Sequence, residues 1–258
     1  MVAKSLTELA NLHGSDKGTT GPSAFWGAHN YTDVYEAYIE RERQSALRVL
    51  EIGLGVVGER WEAHIVHGQN TGGASLKMWY DYFPNASVFG IDVNPCAYLD
   101  NDRIKTFVAD QGNVRDLEAF TQATNGVDFD IIVDDGSHRP DHQQISLSFF
   151  FRRLKSGGLY FVEDLARNGQ GDGVMGRQAC DTVKNTRSVL KHFREYGRFL
   201  EPNALTDPAY LAANIAYVNF HVPKCSVQIA LRASLRRPLK RTIHYKPDTE
   251  LLCVIRKK

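Results

Sequence analysis

The chain has 258 residues, 43% of them hydrophobic and 24% charged, with a formal net charge of +1. This is the composition of a globular protein long enough to bury a sizeable core. Near-neutral charge gives no global argument for nucleic acid or an anionic membrane as a partner.

A basic stretch at 232–241 (RASLRRPLKR), together with Arg256, Lys257 and Lys258, reads as solvated surface. Cys96, Cys180, Cys225 and Cys253 are widely separated and form no CxxC pair. That argues against a zinc site or a disulfide framework and suits a reducing compartment. The amino-terminal stretch lacks the apolar core of a signal peptide, and no apolar run nears the roughly 18 residues of a membrane span. A cytoplasmic protein without a membrane span is expected.

In chain order, residues 5–12 (SLTELANL) read as a short helix ended by Gly14. A Gly/Ser/Thr-rich loop follows over 13–30. Thr32 is then expected to cap a helix in which Val34, Tyr35, Ala37, Tyr38 and Ile39 recur at helical spacing. From Arg48 the pattern becomes buried strands alternating with helices. Strands are expected at 48–53, 87–92, 103–110, 129–135 and 157–164, with helices around 75–82, 114–124 and 145–154. Such alternation implies a mostly parallel sheet with helices on both faces. After Asp164 come a polar, glycine-rich loop at 165–177 and a helical stretch at 178–199. Residues 215–222, 226–231 and 250–255 are strand candidates that could close the sheet antiparallel. The economical organisation is an N-terminal helical segment, 1–45, on one elaborated α/β domain, 46–258.

The first strand ends in LEIGLG, placing Glu51, Gly53 and Gly55 where ligands of open α/β sheets bind. Glycine lets the backbone approach a ligand closely, and a carboxylate there can receive an ammonium group. Gly53-x-Gly55-x-x-Gly58 also satisfies the dinucleotide fingerprint, so an NAD(P)-dependent oxidoreductase is the alternative. That fingerprint expects an acid about 20 residues on, whereas Asp92 ends the second strand 37 residues after Gly55. Glu51 before the glycines, Asp92 on the ribose, and Asp110 with Gln111 beside the adenine favour S-adenosylmethionine. Taken singly, Gly55 could be a tight turn and Asp92 a helix cap.

The fourth and fifth strands end in Asp134-Asp135-Gly136-Ser137-His138 and Glu163-Asp164. Asp134 is counted among the cofactor-side residues. Carboxylates converging on one crevice repel one another, and a divalent cation relieves this, oxygen ligation suiting Mg²⁺ or Mn²⁺. His138 is suited to take a proton from an alcohol near neutral pH, and a metal would acidify and orient that alcohol. The plainer readings are a turn with an N-capping Asp, solvated acids at a strand end and a surface histidine.

At LEIGLG, GGASLKMWYDYFPNASVFGID, ADQGN, DFDIIVDDGSH and LKSGGLYFVEDL the sequence resembles the metal-dependent sugar O-methyltransferases of macrolide and polyketide tailoring, of the mycinamicin 2′-O-methyltransferase type. The resemblance covers about residues 5–165. It implies a Rossmann-like class I fold with a seven-stranded sheet and an antiparallel C-terminal hairpin. It implies metal ligands at Asp135, Glu163 and Asp164, a general base at His138, and a sugar or glycoside acceptor. It also implies that HGSDKG, with His29, Tyr31 and Tyr35, covers the cofactor or substrate. Members are commonly homo-oligomers. Two departures are the insertion at 59–73 and the absence of an aromatic-rich stretch after Asp164, both of which could shape the acceptor pocket. A non-catalytic partner protein of the same fold ranks last, because the acid cluster is intact.

Overall fold

The computed structural model describes residues 3–20, 28–56, 72–165, 182–222 and 251–258. The expected strand 226–231, the basic stretch 232–241, most of the loop 165–177 and nearly all of the insertion 59–73 lie outside the described residues.

Helix α1 (Leu6–His13) opens with a capping box in which the Ser5 and Glu8 side chains satisfy each other's backbone N–H, and ends on Gly14 at φ 75°. Helix α2 (Thr32–Ile39) differs from expectation at its start: Tyr31 holds the cap position and makes no side-chain cap bond. The Thr32 hydroxyl is instead 2.7 Å from that of Thr7, tying α2 to α1.

Strands β1 (Arg48–Ile52), β2 (Ser87–Asp92), β3 (Ile104–Val108), β4 (Phe129–Asp134) and β5 (Leu154–Val162) alternate with α3 (Ala74–Tyr82), α4 (Val114–Ala123) and α5 (Pro140–Phe151). Beyond β5 come α6 (Thr186–Tyr196), α7 (Pro208–Asn214), β6 (Ile215–His221) and β7 (Leu252–Lys257). Helix α7, with Pro208 in its first turn and the Asp207 side chain capping it, is an element beyond those expected from the sequence.

The seven strands run in the order β3-β2-β1-β4-β5-β7-β6. The five N-terminal strands pair parallel, and β7 runs antiparallel between β5 and β6. The chain turns outward in opposite directions from β1 and β4, so a crevice opens above their carboxyl ends.

Strand alternation divides the core in two. Val49, Val88, Ile131, Val133 and Phe161 face α1, α2 and α3 through Leu6, Tyr35, Leu76 and Trp79. Leu50, Ile52, Ile132 and Val162 face Leu117, Phe150, Val189 and Leu211 of α4 to α7. The same alternation sends the buried acids to opposite sides: Glu51 with Val49 and Val133, Asp134 with Ile132.

Candidate active site

A cavity of about 640 Å³ lies over the carboxyl ends of the strands. One end is the loop after β1. Gly53 has φ 84°, and a Cβ on it would lie 2.3 Å from the carbonyl of Asp135, so only glycine lets the two loops meet. Gly55 has φ 64° and nothing within 4 Å of its Cβ direction. Asp92 accepts from the N–H groups of Leu54 at 2.9 Å and Asn94 at 3.0 Å, so its carboxylate anchors the glycine loop from within the cavity wall. Burial raises its pKa against the backbone donors that lower it.

Asp110 and Gln111 also line the cavity. The Gln111 amide bridges two loops, donating to Asp134 Oδ1 at 3.0 Å and accepting from Ser137 N at 2.7 Å. Asp134 itself is fully buried. It accepts from Ser146 Oγ at 2.5 Å and from Tyr160 OH at 3.3 Å, and burial pushes its pKa up to about 6. Glu51 is likewise wholly buried, receiving the Trp79 indole N–H at 3.0 Å. Asp134 and Glu51 therefore stand behind the cavity wall, whereas Gly53, Gly55, Asp92, Asp110 and Gln111 form it.

At the other end, Asp135, His138 and Asp164 converge. Their candidate ligand atoms all lie within 4.8 Å of one another. His138 Nε2 is 3.9 Å from Asp135 Oδ1 and 3.6 Å from Asp164 Oδ2. Its buried Nδ1 has no hydrogen-bond partner among the described residues. Both His138, at φ 56°, and Asp164, at φ 48°, occupy the left-handed region that non-glycine residues avoid.

Glu163 is not in that group. It is fully buried and points into the layer beneath, where the Tyr35 hydroxyl and the Lys17 ammonium donate to it, the latter at 3.0 Å. Burial and the nearby Asp135 carboxylate raise its pKa well above the usual carboxylate value, although Lys17 opposes this. Burial likewise raises that of Asp135, with Lys17 and His138 working against it.

The segment between α1 and α2 thus closes over the acids. The Tyr31 hydroxyl donates to Asp164 Oδ1 at 2.5 Å, and His29 Nδ1 lies 3.8 Å from the same oxygen. Burial disfavours charge on His29, but Asp164 and Asp16 raise its pKa overall. Lys17 carried no separate signal in the sequence; its one trace was its place in HGSDKG.

The strand order, the antiparallel β7 and the ligand cleft at the β1–β4 switch point define a Rossmann-like class I methyltransferase fold. Within that class, the chain's sequence relatives are sugar O-methyltransferases. One is the mycinamicin VI 2''-O-methyltransferase of Micromonospora griseorubida, 33% identical over 226 residues, which are 84% of this chain and 50% of that protein. Another is the 8-demethyl-8-(2-methoxy-alpha-L-rhamnosyl)-tetracenomycin-C 3'-O-methyltransferase of Streptomyces olivaceus, 38% identical over 161 residues, 62% of this chain and 36% of that protein.

Among solved structures, MycE methyltransferase from the mycinamycin pathway, in complex with Mg and SAH, matches over 99% of this chain and 55% of its own. The TM-score is 0.66 and the identity 23%, a likeness of fold. The chain spans about half or less of the length of these curated relatives. No family model matches it. These relatives do not favour the oxidoreductase or the non-catalytic alternative. Among the described residues, no helix is long and apolar enough to cross a membrane.

Proposed function

We propose that this chain is an S-adenosylmethionine-dependent O-methyltransferase that uses a divalent metal, Mg²⁺ or Mn²⁺, and acts on a hydroxyl of a sugar or glycosylated natural product. The observation that carries the reading is the single cavity that joins Gly53, Gly55, Asp92 and Asp110 at one end to Asp135, His138 and Asp164 at the other. Its small-molecule acceptor would enter at the acidic end. The glycine turn gives the cofactor's methionine part close backbone approach, and Asp92 and Asp110 offer acceptors for ribose and adenine. Residues 1–45 serve as a cover on the 46–258 catalytic domain, a reading supported by the bonds of Tyr31 and Tyr35 to the acids.

The donor set fits a hard cation. Oxygens of Asp135 and Asp164 within 4.8 Å of one another suit an ion with ligand bonds of about 2.0–2.6 Å. Asp135 and Asp164 would hold it; Glu163, which the resemblance implies as a third ligand, is buried beneath them on Lys17 and Tyr35 and stands outside this donor set. When bound, the sulfonium cofactor supplies an electrophilic methyl group and the metal acidifies and orients the acceptor hydroxyl.

Methyl transfer to a hydroxyl releases one proton, and His138 is the residue suited to receive it. Its Nε2 stands between the two carboxylates, at the acidic end where the acceptor would enter. Tyr31 fixes one Asp164 oxygen and leaves the other toward His138. Assay of labelled methyl transfer from S-adenosylmethionine to a panel of sugars and glycosides, with Mg²⁺ or with chelator, tests the reading. Transfer that survives excess chelator removes the metal from it; absence of transfer to any hydroxyl acceptor removes the reaction.

A further inference from the structure

Lys17 sits in the turn between α1 and α2, with its side chain 1% exposed. It is fixed from both sides. Its carbonyl accepts from Tyr31 N at 2.9 Å and Thr32 N at 3.1 Å, where α2 begins. Its ammonium faces three carboxylates: Glu163 at 3.0 Å, Glu51 Oε1 at 3.4 Å, and Asp135 Oδ2, to which it donates directly. Three carboxylates within ion-pair distance compensate the buried ammonium.

This divides the acids by oxygen atom. Asp135 gives Oδ2 to Lys17 and leaves Oδ1 toward His138. Glu163 receives Lys17 and Tyr35. Asp164 gives Oδ1 to Tyr31 and leaves Oδ2 toward His138.

We propose that Lys17 is a positioning residue that supplies the cluster with a built-in positive charge and thereby weakens its hold on a divalent cation, so that the ion binds at the Asp135 Oδ1 and Asp164 Oδ2 face and remains exchangeable. The inference rests on the metal-dependent reading above. Four carboxylates, Glu51, Asp135, Glu163 and Asp164, would otherwise meet an incoming ion with no fixed cation among them. A unit charge a few ångströms from a divalent ion, in a partly desolvated site, repels it by several times thermal energy even at an effective dielectric near 20.

The test is Mn²⁺ binding, read from the electron paramagnetic resonance signal of the free ion at pH 8, on wild type, Lys17→Met and Lys17→Gln. Folding is checked by far-UV circular dichroism. The two neutral variants should bind Mn²⁺ about tenfold or more tightly than wild type. Equal or weaker Mn²⁺ binding by folded neutral variants overturns the role of Lys17 while leaving the metal reading intact. No Mn²⁺ binding by wild type or variants overturns the metal reading itself. If the variants unfold without metal, recovery of their native spectrum on adding millimolar Mn²⁺ supports the proposal, since the ion then replaces the missing charge. Failure to recover overturns it.

Discussion

His138 holds a left-handed backbone at φ 56°, a conformation that costs on the order of 1–3 kcal/mol for most side chains. Asparagine tolerates this region best after glycine. His138→Asn therefore removes the imidazole while sparing the turn. Turnover should fall by a factor on the order of 10²–10⁴ with the melting temperature unchanged. Activity within a few-fold of wild type would retire His138 as the proton acceptor. Asp134 makes a different prediction, about stability. Its pKa rises from 3.8 to about 6 because burial disfavours its charge. The folded state thus holds a proton that the unfolded state has lost across that window. Its stabilising contribution is complete below pH 3.8 and disappears as pH rises through about 6, a swing on the order of 3 kcal/mol. Asp134→Asn has no such titration. Melting curves from pH 4 to pH 7 should show wild type losing ground to the variant as pH rises, and a difference independent of pH would refute the burial argument.

Two glycines in one loop separate structure from ligand approach. Gly53→Ala drives a Cβ into the Asp135 carbonyl at φ 84°, whereas Gly55→Ala meets open cavity space at φ 64°. Gly53→Ala should destabilise by more than about 2 kcal/mol, and Gly55→Ala by about 1 kcal/mol, the ordinary cost of a left-handed alanine. Calorimetric titration with S-adenosylhomocysteine should show Gly55→Ala folded yet binding at least about tenfold more weakly; wild-type binding would free Gly55 from the cofactor role. Strands with near-continuous apolar runs, such as IIV in β4, are legible in the sequence because each packs helices on both faces. Helix α5 was legible only from Ile145 onward. Its first turns are PDHQQ, and Gln143 and Gln144 are buried by bonding to the backbone, at Glu163 O and Lys184 O. A buried face made of amides and hydroxyls has no hydrophobic period to read.

Across the whole molecule the site is a long-range product. The acids stand at the ends of β4 and β5, and the groups that neutralise them come from residues 17–35, separated by 118 positions for Lys17 and Asp135 and by 146 for Lys17 and Glu163. The acid cluster was visible as two local motifs. The lysine was not, because a single cation in a polar turn looks like surface until the fold buries it. The arrangement couples cation binding to global stability. The folded state gathers Glu51, Asp135 and Glu163 around one ammonium and sets Asp164 near Asp135, while the unfolded chain scatters them. A divalent ion should therefore bind the folded state alone and stabilise it by mass action, by about 2.7 kcal/mol at one hundred times its dissociation constant. For a domain of this size that is a rise of roughly 5–10 °C in melting temperature. Thermal melts with Mg²⁺, and then with excess chelator, should show the rise and its reversal. Asp164→Asn, which keeps an acceptor for Tyr31 but removes a charge from the exposed face, should lose most of it. Equal Mg²⁺ responses in wild type and Asp164→Asn would place the ion elsewhere on the molecule.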